Sequence, residues 1–161
     1  MIIKPLIRSN ICINAHPLGC AKEVENQIAY VEAKAKARGP LANAPKNVLV
    51  LGCSTGYGLA SRISAAFECR ANTIGVSFEK EGTEVKSGTP GWYNNMAFER
   101  AAKAQGLGCV TFNGDAFSDD MRKRVIEASK QFGKFDLVIY SVASAVRVDP
   151  VTGEKYRSVL K

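Results

Sequence analysis

Histidine is nearly missing from this sequence. His16 is the only one in 161 residues, which leaves few ligands for a site built on several imidazoles. Cysteine occurs at positions 12, 20, 53, 69 and 109, an odd set without a Cys-x-x-Cys pair. The start, Met1–Ile2–Ile3–Lys4–Pro5, lacks the charged and apolar regions of a secretory signal. Reduced thiols and a cytoplasmic location are therefore expected. Cys12, His16 and Cys20 are evenly spaced, as ligands stacked on a helix are. Pro17 and Gly19 are expected to interrupt a helix there and no fourth ligand is evident, so no metal is expected and His16 reads as a structural or capping residue. No apolar run approaches the ~20 residues that span a bilayer, so no membrane partner is expected. The net charge is +7, but the lysines and arginines are scattered without a basic run or interleaved aromatics. That argues against nucleic acid and for an enzyme handling anionic ligands.

What the chain does have is one organising stretch, Asn47 to Gly58. Val48–Leu49–Val50–Leu51 is an unbroken apolar run, as in a parallel strand covered on both faces. Gly52, Gly56 and Gly58 follow at once, and Leu59, Ile63, Ala66 and Phe67 then recur at helical spacing. Strand, glycine turn and helix is the arrangement that holds a dinucleotide. Glycine lets the backbone approach a pyrophosphate, and the helix N-terminus offers free N–H groups. The spacing here, Gly-x-x-x-Gly-x-Gly, resembles that of short-chain dehydrogenases/reductases. A second strand, Thr73–Phe78, leads to Glu79, where an acid would accept hydrogen bonds from a ribose 2′-hydroxyl and repel a 2′-phosphate. The expected cofactor is therefore NADH rather than NADPH.

The other elements follow in order. Ile2–Ile3 and Ile11–Ile13 read as a hairpin around Arg8–Asn10. A helix is expected from Ala21 to Arg38, with Val24, Ile28 and Val31 inward and Gly39–Pro40 ending it. Tyr30 and Lys34 match the Tyr-x-x-x-Lys proton-transfer pair of short-chain reductases. They precede the first nucleotide-binding strand, so they are read as a surface pair. Lys80–Pro90 reads as a surface excursion. A helix from Gly91 to Gln105 is expected to turn Met96, Ala97, Ala101 and Ala102 inward, with Trp92 and Tyr93 as packing residues. Cys109–Phe112 is a third strand, followed by Asp115 and Ala116 at an adenine position. Ser118 caps a helix over Asp119–Gln131 with Met121, Val125, Ile126 and Ala128 inward. Phe135–Tyr140 reads as a fourth, almost wholly apolar strand, and a chain without its C-terminal half is expected to expose an apolar strand edge and to be poorly soluble. The small residues Ser141–Ser144 after this strand leave room for a nicotinamide and its ribose. Residues 147–161 read as a polar loop.

Two other readings compete. S-adenosylmethionine-dependent methyltransferases also place a glycine turn after the first strand and an acid after the second. Their fourth strand commonly carries acids or a Pro-Pro pair, where this chain has Tyr140–Ser–Val–Ala–Ser144. A catalytically inactive nucleotide-binding fragment fits the same residues.

Seven segments together are similar to the trans-2-enoyl-CoA reductase family, which includes NADH-dependent enoyl-[acyl-carrier-protein] reductases of the FabV type. They are Met1–Pro5, Asn14–Cys20, Gly52–Arg62, Gly75–Glu79, Gly88–Asn94, Asn113–Asp119 and Tyr140–Ser144. Val142 and Ala145–Val146–Arg147 depart slightly from the pattern. The resemblance implies a monomeric oxidoreductase of fatty acid biosynthesis that reduces the 2,3 double bond of an enoyl-CoA or enoyl-acyl-carrier-protein with NADH. It places the pyrophosphate on Gly52, Cys53, Ser54, Thr55, Gly56 and Tyr57. The adenosine ribose falls on Phe78 and Glu79, the adenine on Asp115 and Ala116, and the nicotinamide side on Val142 and Ala143. The family's catalytic Tyr and Lys are expected beyond Lys161, so this stretch is expected to be an N-terminal portion without reductase activity of its own. The fold expected is α/β, a Rossmann-like doubly wound parallel sheet of short-chain dehydrogenase/reductase type, incomplete. Residues 1–46 form a hairpin and helix extension, and residues 47–161 form the NADH-binding portion, cut before the catalytic segment.

Overall fold

The computed structural model describes residues 4–9, 11–12, 14–144 and 146–158. Among them, four parallel strands form the central sheet: β3 (Asn47–Leu51), β4 (Asn72–Ser77), β5 (Cys109–Asn113) and β6 (Leu137–Tyr140). Their spatial order is β5-β4-β3-β6, with Leu49 of β3 opposite Ile74 on one side and Val138 on the other. The order reverses at β3, so connections leave the carboxyl ends of β3 and β5 toward opposite faces. Such a point opens a crevice above the sheet.

The helices divide between the two faces. α1 (Pro17–Arg38), α2 (Gly56–Ile63, continued by a π-helical turn, Ser64–Glu68) and α3 (Pro90–Ala104) share one core. Val24, Ile28, Leu59, Ile63, Phe67 and Phe98 meet there, with the Phe67 and Phe98 rings edge to face at 5.8 Å. Burying each aliphatic side chain of that kind stabilises the fold by roughly 1.5–3 kcal/mol. On the other face, α4 (Asp119–Ser129) sets Met121 and Val125 against Ile74 and Val76. Asp136, just before β6, accepts hydrogen bonds from the N–H groups of Lys46 (2.7 Å) and Asn47 (2.9 Å), tying the starts of β3 and β6 together.

Several sequence expectations need correction. α1 starts at Pro17 rather than Ala21, because a proline in the first helical turn removes only an N–H that has no partner anyway. His16 caps it through Nδ1, which accepts from the Gly19 N–H at 3.2 Å. Met96 and Ile126 are 58% and 62% exposed, not inward. The buried residues of α3 are Gly91, Asn95, Phe98 and Ala102, an i, i+4, i+7, i+11 series from Gly91, together with Ala97, which is inward as expected. The N-terminal hairpin pairs β1 (Ile7–Arg8) with β2 (Ile11–Cys12), while Ile2, Ile3, Asn10 and Ile13 lie outside the described residues. Residues 146–157 form an antiparallel hairpin, β7 (Val146–Val148) with β8 (Lys155–Arg157), where a loop was expected. Tyr30 is exposed, with the Lys34 ammonium 5.5 Å from its ring centre, a surface pair as expected.

The apolar run of β6 is not covered: Leu137, Val138 and Tyr140 are 40%, 56% and 62% exposed. β6 lies at the sheet edge, and an uncovered apolar edge invites pairing with another chain. The 161-residue chain is expected to self-associate with rising concentration, and Val138→Lys to reduce this in light scattering; concentration-independent scattering from the unaltered chain would contradict it. Backbone hydrogen bonds from Lys46 and Asn47 hold the Asp136 carboxyl below the usual carboxylate range. Its contribution is therefore complete above the unfolded carboxylate pKa and is lost as pH falls through the lower folded value. Asp136→Ala is expected to lower the melting temperature at pH 7, with the gap to the unaltered chain closing on acidification.

Candidate functional site

The predicted residues converge at the carboxyl ends of the four sheet strands. Gly52 follows β3, Phe78 and Glu79 follow β4, Asp115 and Ala116 follow β5, and Val142 and Ala143 follow β6. The Gly52 and Cys53 N–H groups both donate to the Val76 carbonyl, at 2.8 and 3.1 Å, which turns the chain back over β4. Gly52 has φ +84°, a conformation that favours glycine. A Cβ at residue 52 would overlap the Ser141 carbonyl, and one at Gly58 would overlap the carbonyl of Gly52 itself. The turn is thus pressed between the end of β6 and the first turn of α2.

Thr55, the N-cap of α2, makes no side-chain cap bond. Tyr57 in that first turn is 89% exposed, and Thr55 and Gly56 are exposed beside it. An open helix start with no acidic residue offers N–H groups and a partial positive charge to an anion. Beside the turn lies a cavity of about 220 Å³, walled by Gly52, Val76, Ser77, Phe78, Asp115, Ala116, Phe117 and Val142, with Val146 and Val148 of β7 across it. Phe78 is 81% exposed at its rim. Asp115 Oδ1 accepts from the Phe117 N–H (2.9 Å), and the Arg147 guanidinium stands 5.3 Å from the Phe117 ring centre. A larger groove of about 360 Å³ between α1 and α2 contains none of these strand-end residues.

Not every predicted residue faces the cavity. Ala143 is exposed but does not line it. Cys53 points down into the core, where burial raises its thiol pKa. Its Sγ lies 3.6 Å from Arg62 Nη1 and 3.7 Å from Asn95 Oδ1. Glu79 lies behind the turn. Its Oε1 accepts from the Ser54 hydroxyl at 2.5 Å, and its Oε2 accepts from the Thr89 hydroxyl.

Sequence reasoning missed the polar support beneath the turn. Arg62 is fully buried on α2 and donates to Thr111 Oγ1 (2.9 Å), the Val110 carbonyl (2.9 Å) and Thr73 Oγ1 (3.3 Å). Its guanidinium stacks 4.2 Å from the Phe98 ring centre. Burying a cation is costly unless its hydrogen bonds are met, and here three polar groups and one aromatic face meet them. Gly75 makes the space, since a Cβ there would sit 2.6 Å from both Arg62 Nη1 and Cys53 Sγ. The available signal was a glycine inside a strand, which marks close approach by another group.

Two family models cover nearly all of the chain. The NAD(P)H binding domain of trans-2-enoyl-CoA reductase matches residues 2–84, and the catalytic region of trans-2-enoyl-CoA reductase matches residues 86–161. The chain belongs to the trans-2-enoyl-CoA reductase family. The trans-2-enoyl-CoA reductase [NADH] of Treponema denticola is 63% identical over the whole chain, and the enoyl-[acyl-carrier-protein] reductase [NADH] of Edwardsiella ictaluri is 59% identical. The chain spans 41% and 40% of the length of these two relatives. The crystal structure of the Treponema denticola enzyme in complex with NAD superposes over the whole chain with a TM-score of 0.94 at 62% identity, covering 41% of that structure. The Clostridium acetobutulicum enzyme in complex with NADH gives 0.90 at 44% identity, also over the whole chain and 40% of its own.

In this member of the family the close approach at the turn gives a direct test. Gly58→Ala is expected to destabilise by about 1–3 kcal/mol in urea unfolding, because its methyl group meets backbone that cannot move cheaply. Gly19→Ala, whose Cβ finds only ordinary contact with His16 at 3.6 Å, is expected to cost nothing. Equal stability of both variants would contradict the packing described.

Proposed function

We propose that this chain is the NADH-binding part of a reductase that acts on the 2,3 double bond of enoyl thioesters. The observation that carries the reading is the turn at Gly52, set against the open start of α2 with a carboxylate, Glu79, behind it. The donor set fits a dinucleotide. Free N–H groups at the helix start suit the diphosphate, and the walls of Phe78, Ala116 and Val142 suit the flat rings.

In this reading Gly52, Cys53, Ser54, Thr55, Gly56 and Tyr57 form the diphosphate site: the Gly52 and Cys53 N–H groups, on the Val76 carbonyl, shape the turn, and the main-chain N–H groups at the start of α2 meet the ligand. Glu79, with Phe78, holds the adenosine ribose and disfavours a 2′-phosphate. Asp115 and Ala116 take the adenine, and Val142 and Ala143 the nicotinamide side. Bound NADH supplies the hydride that goes to the β-carbon of the thioester. The developing enolate oxygen needs a hydroxyl donor. Among the described residues no tyrosine lines the cavity, so the chain as given provides the binding and orientation of the dinucleotide rather than the proton. The substrate is an enoyl-CoA or an enoyl-acyl-carrier-protein, the process is fatty acid biosynthesis, and the protein works as a cytoplasmic monomer. No helix among the described residues is long and apolar enough to cross a membrane.

The test is calorimetric titration with NADH, NADPH and S-adenosylmethionine. NADH is expected to bind, NADPH more weakly and S-adenosylmethionine not at all. Glu79→Ala is expected to weaken NADH about tenfold, the effect of a lost hydrogen bond to a charged group. Unchanged NADH affinity in Glu79→Ala would contradict the ribose assignment. Oxidation of NADH by the 161-residue chain with crotonyl-CoA would contradict the division of labour.

A further inference from the structure

Glu79 is held far more tightly than a loop carboxylate needs to be. Asn113, the last residue of β5, clamps its main chain: Oδ1 accepts from the Glu79 N–H at 2.7 Å and Nδ2 donates to the Glu79 carbonyl at 2.9 Å. The Ser54 and Thr89 hydroxyls hold the two carboxylate oxygens separately. Ser54 belongs to the glycine turn, and Thr89 stands at the start of α3, at the far end of the excursion after β4.

The Thr89 arrangement is unusual for its place. Thr89 is the N-cap of α3, where a threonine hydroxyl ordinarily accepts from an N–H of the first helical turn. It makes no such bond. Its Oγ1 instead accepts from the Lys80 N–H at 3.0 Å and gives its proton to Glu79, while its own N–H donates to the Lys80 carbonyl at 2.9 Å. These bonds bring the two ends of the excursion, residues 80 and 89, side by side. The carboxylate then lies against Gly91 in the first turn of α3, so close that any Cβ there would overlap Oε1 and would sit 2.7 Å from Ser54 Cβ. That turn carries no acidic residue of its own and is the positive end of the helix.

We infer that Thr89 is a positioning residue that, with Ser54 and the gap at Gly91, fixes the Glu79 carboxylate and so sets the discrimination between NADH and NADPH. The inference rests on the reading of Glu79 as the ribose ligand. A carboxylate oxygen has two acceptor directions, so one hydroxyl on each oxygen leaves one direction on each for the two ribose hydroxyls. Fixing the group beforehand removes the ordering cost from binding. A fixed negative charge also cannot swing away from a 2′-phosphate, whereas a free glutamate side chain can.

The experiment is equilibrium binding of NADH and NADPH to the purified protein and to Thr89→Val, Thr89→Ser, Gly91→Ala and Glu79→Ala variants. The readout is the ratio of the NADPH to the NADH dissociation constant. Thr89→Val keeps the shape and removes the hydroxyl, and is expected to lower the ratio about tenfold, the scale of a hydrogen bond to a charged group. Thr89→Ser retains the hydroxyl and is expected to restore the ratio. Gly91→Ala displaces the carboxylate from the other side and is expected to lower the ratio as well, which keeps the test open if Thr89→Val does not fold. The inference is overturned if a folded Thr89→Val or Gly91→Ala protein keeps the original ratio, or if both dinucleotides weaken equally in Thr89→Val and Thr89→Ser. It fails alone if Glu79→Ala lowers the ratio while Thr89→Val leaves it unchanged. If Glu79→Ala itself leaves the ratio and the NADH affinity unchanged, the ribose reading fails with it.

Discussion

Where the Gly52 carbonyl lies, a side chain on residue 58 cannot, and where Ser141 lies, a side chain on residue 52 cannot. This mutual exclusion brings the carboxyl end of β3 under the first turn of α2 and alongside the end of β6. The helix start then points its N–H groups over the crevice that the sheet order opens between β4 and β6. The cavity between Phe78, Asp115 and Val142 is the lateral continuation of the same crevice.

Beneath the turn, a buried cation does the structural work. Arg62 reaches from α2 across β4 to β5, and its bonds to Thr73, Thr111 and the Val110 carbonyl tie the helix to two strands that are already paired with each other. Burial works against ionisation of Glu99, yet hydrogen bonds from Thr111 and Lys103 and the nearby Arg62 charge leave its carboxyl below the usual range. Arg62, Thr111 and Glu99 therefore form one polar chain from the core to the surface. It gives the turn a hydrogen-bonded floor.

The elements legible in the sequence were those with local causes. The apolar run Val48–Leu51, the glycines after it and the Ser118 cap each act within a few residues, and the structure has the strand, the turn and the capped helix there. Elements that depend on distant neighbours were harder to read. Val138 and Tyr140 have the composition of a buried strand, but exposure is decided by what packs against them, which an apolar run does not encode. Pro17 looked like a helix breaker because its effect depends on whether it falls in the first turn. The hairpin at Val146–Arg157 carried a signal, alternating residues around Asp149–Pro150 and Thr152–Gly153, that the polar composition obscured. For the site, the positions at the strand ends were readable by fold logic. The hydroxyls that hold Glu79 were not, because Thr89 returns to it only through tertiary closure of the intervening loop.

The proposed function requires the turn at Gly52 and the start of α2 to embrace a diphosphate. A crystal structure of the protein grown with NADH tests it most directly. The expected result is diphosphate oxygens within hydrogen-bond distance of main-chain N–H groups between residues 54 and 57, with the adenosine ribose on Glu79. A dinucleotide bound with its diphosphate away from that turn would contradict it.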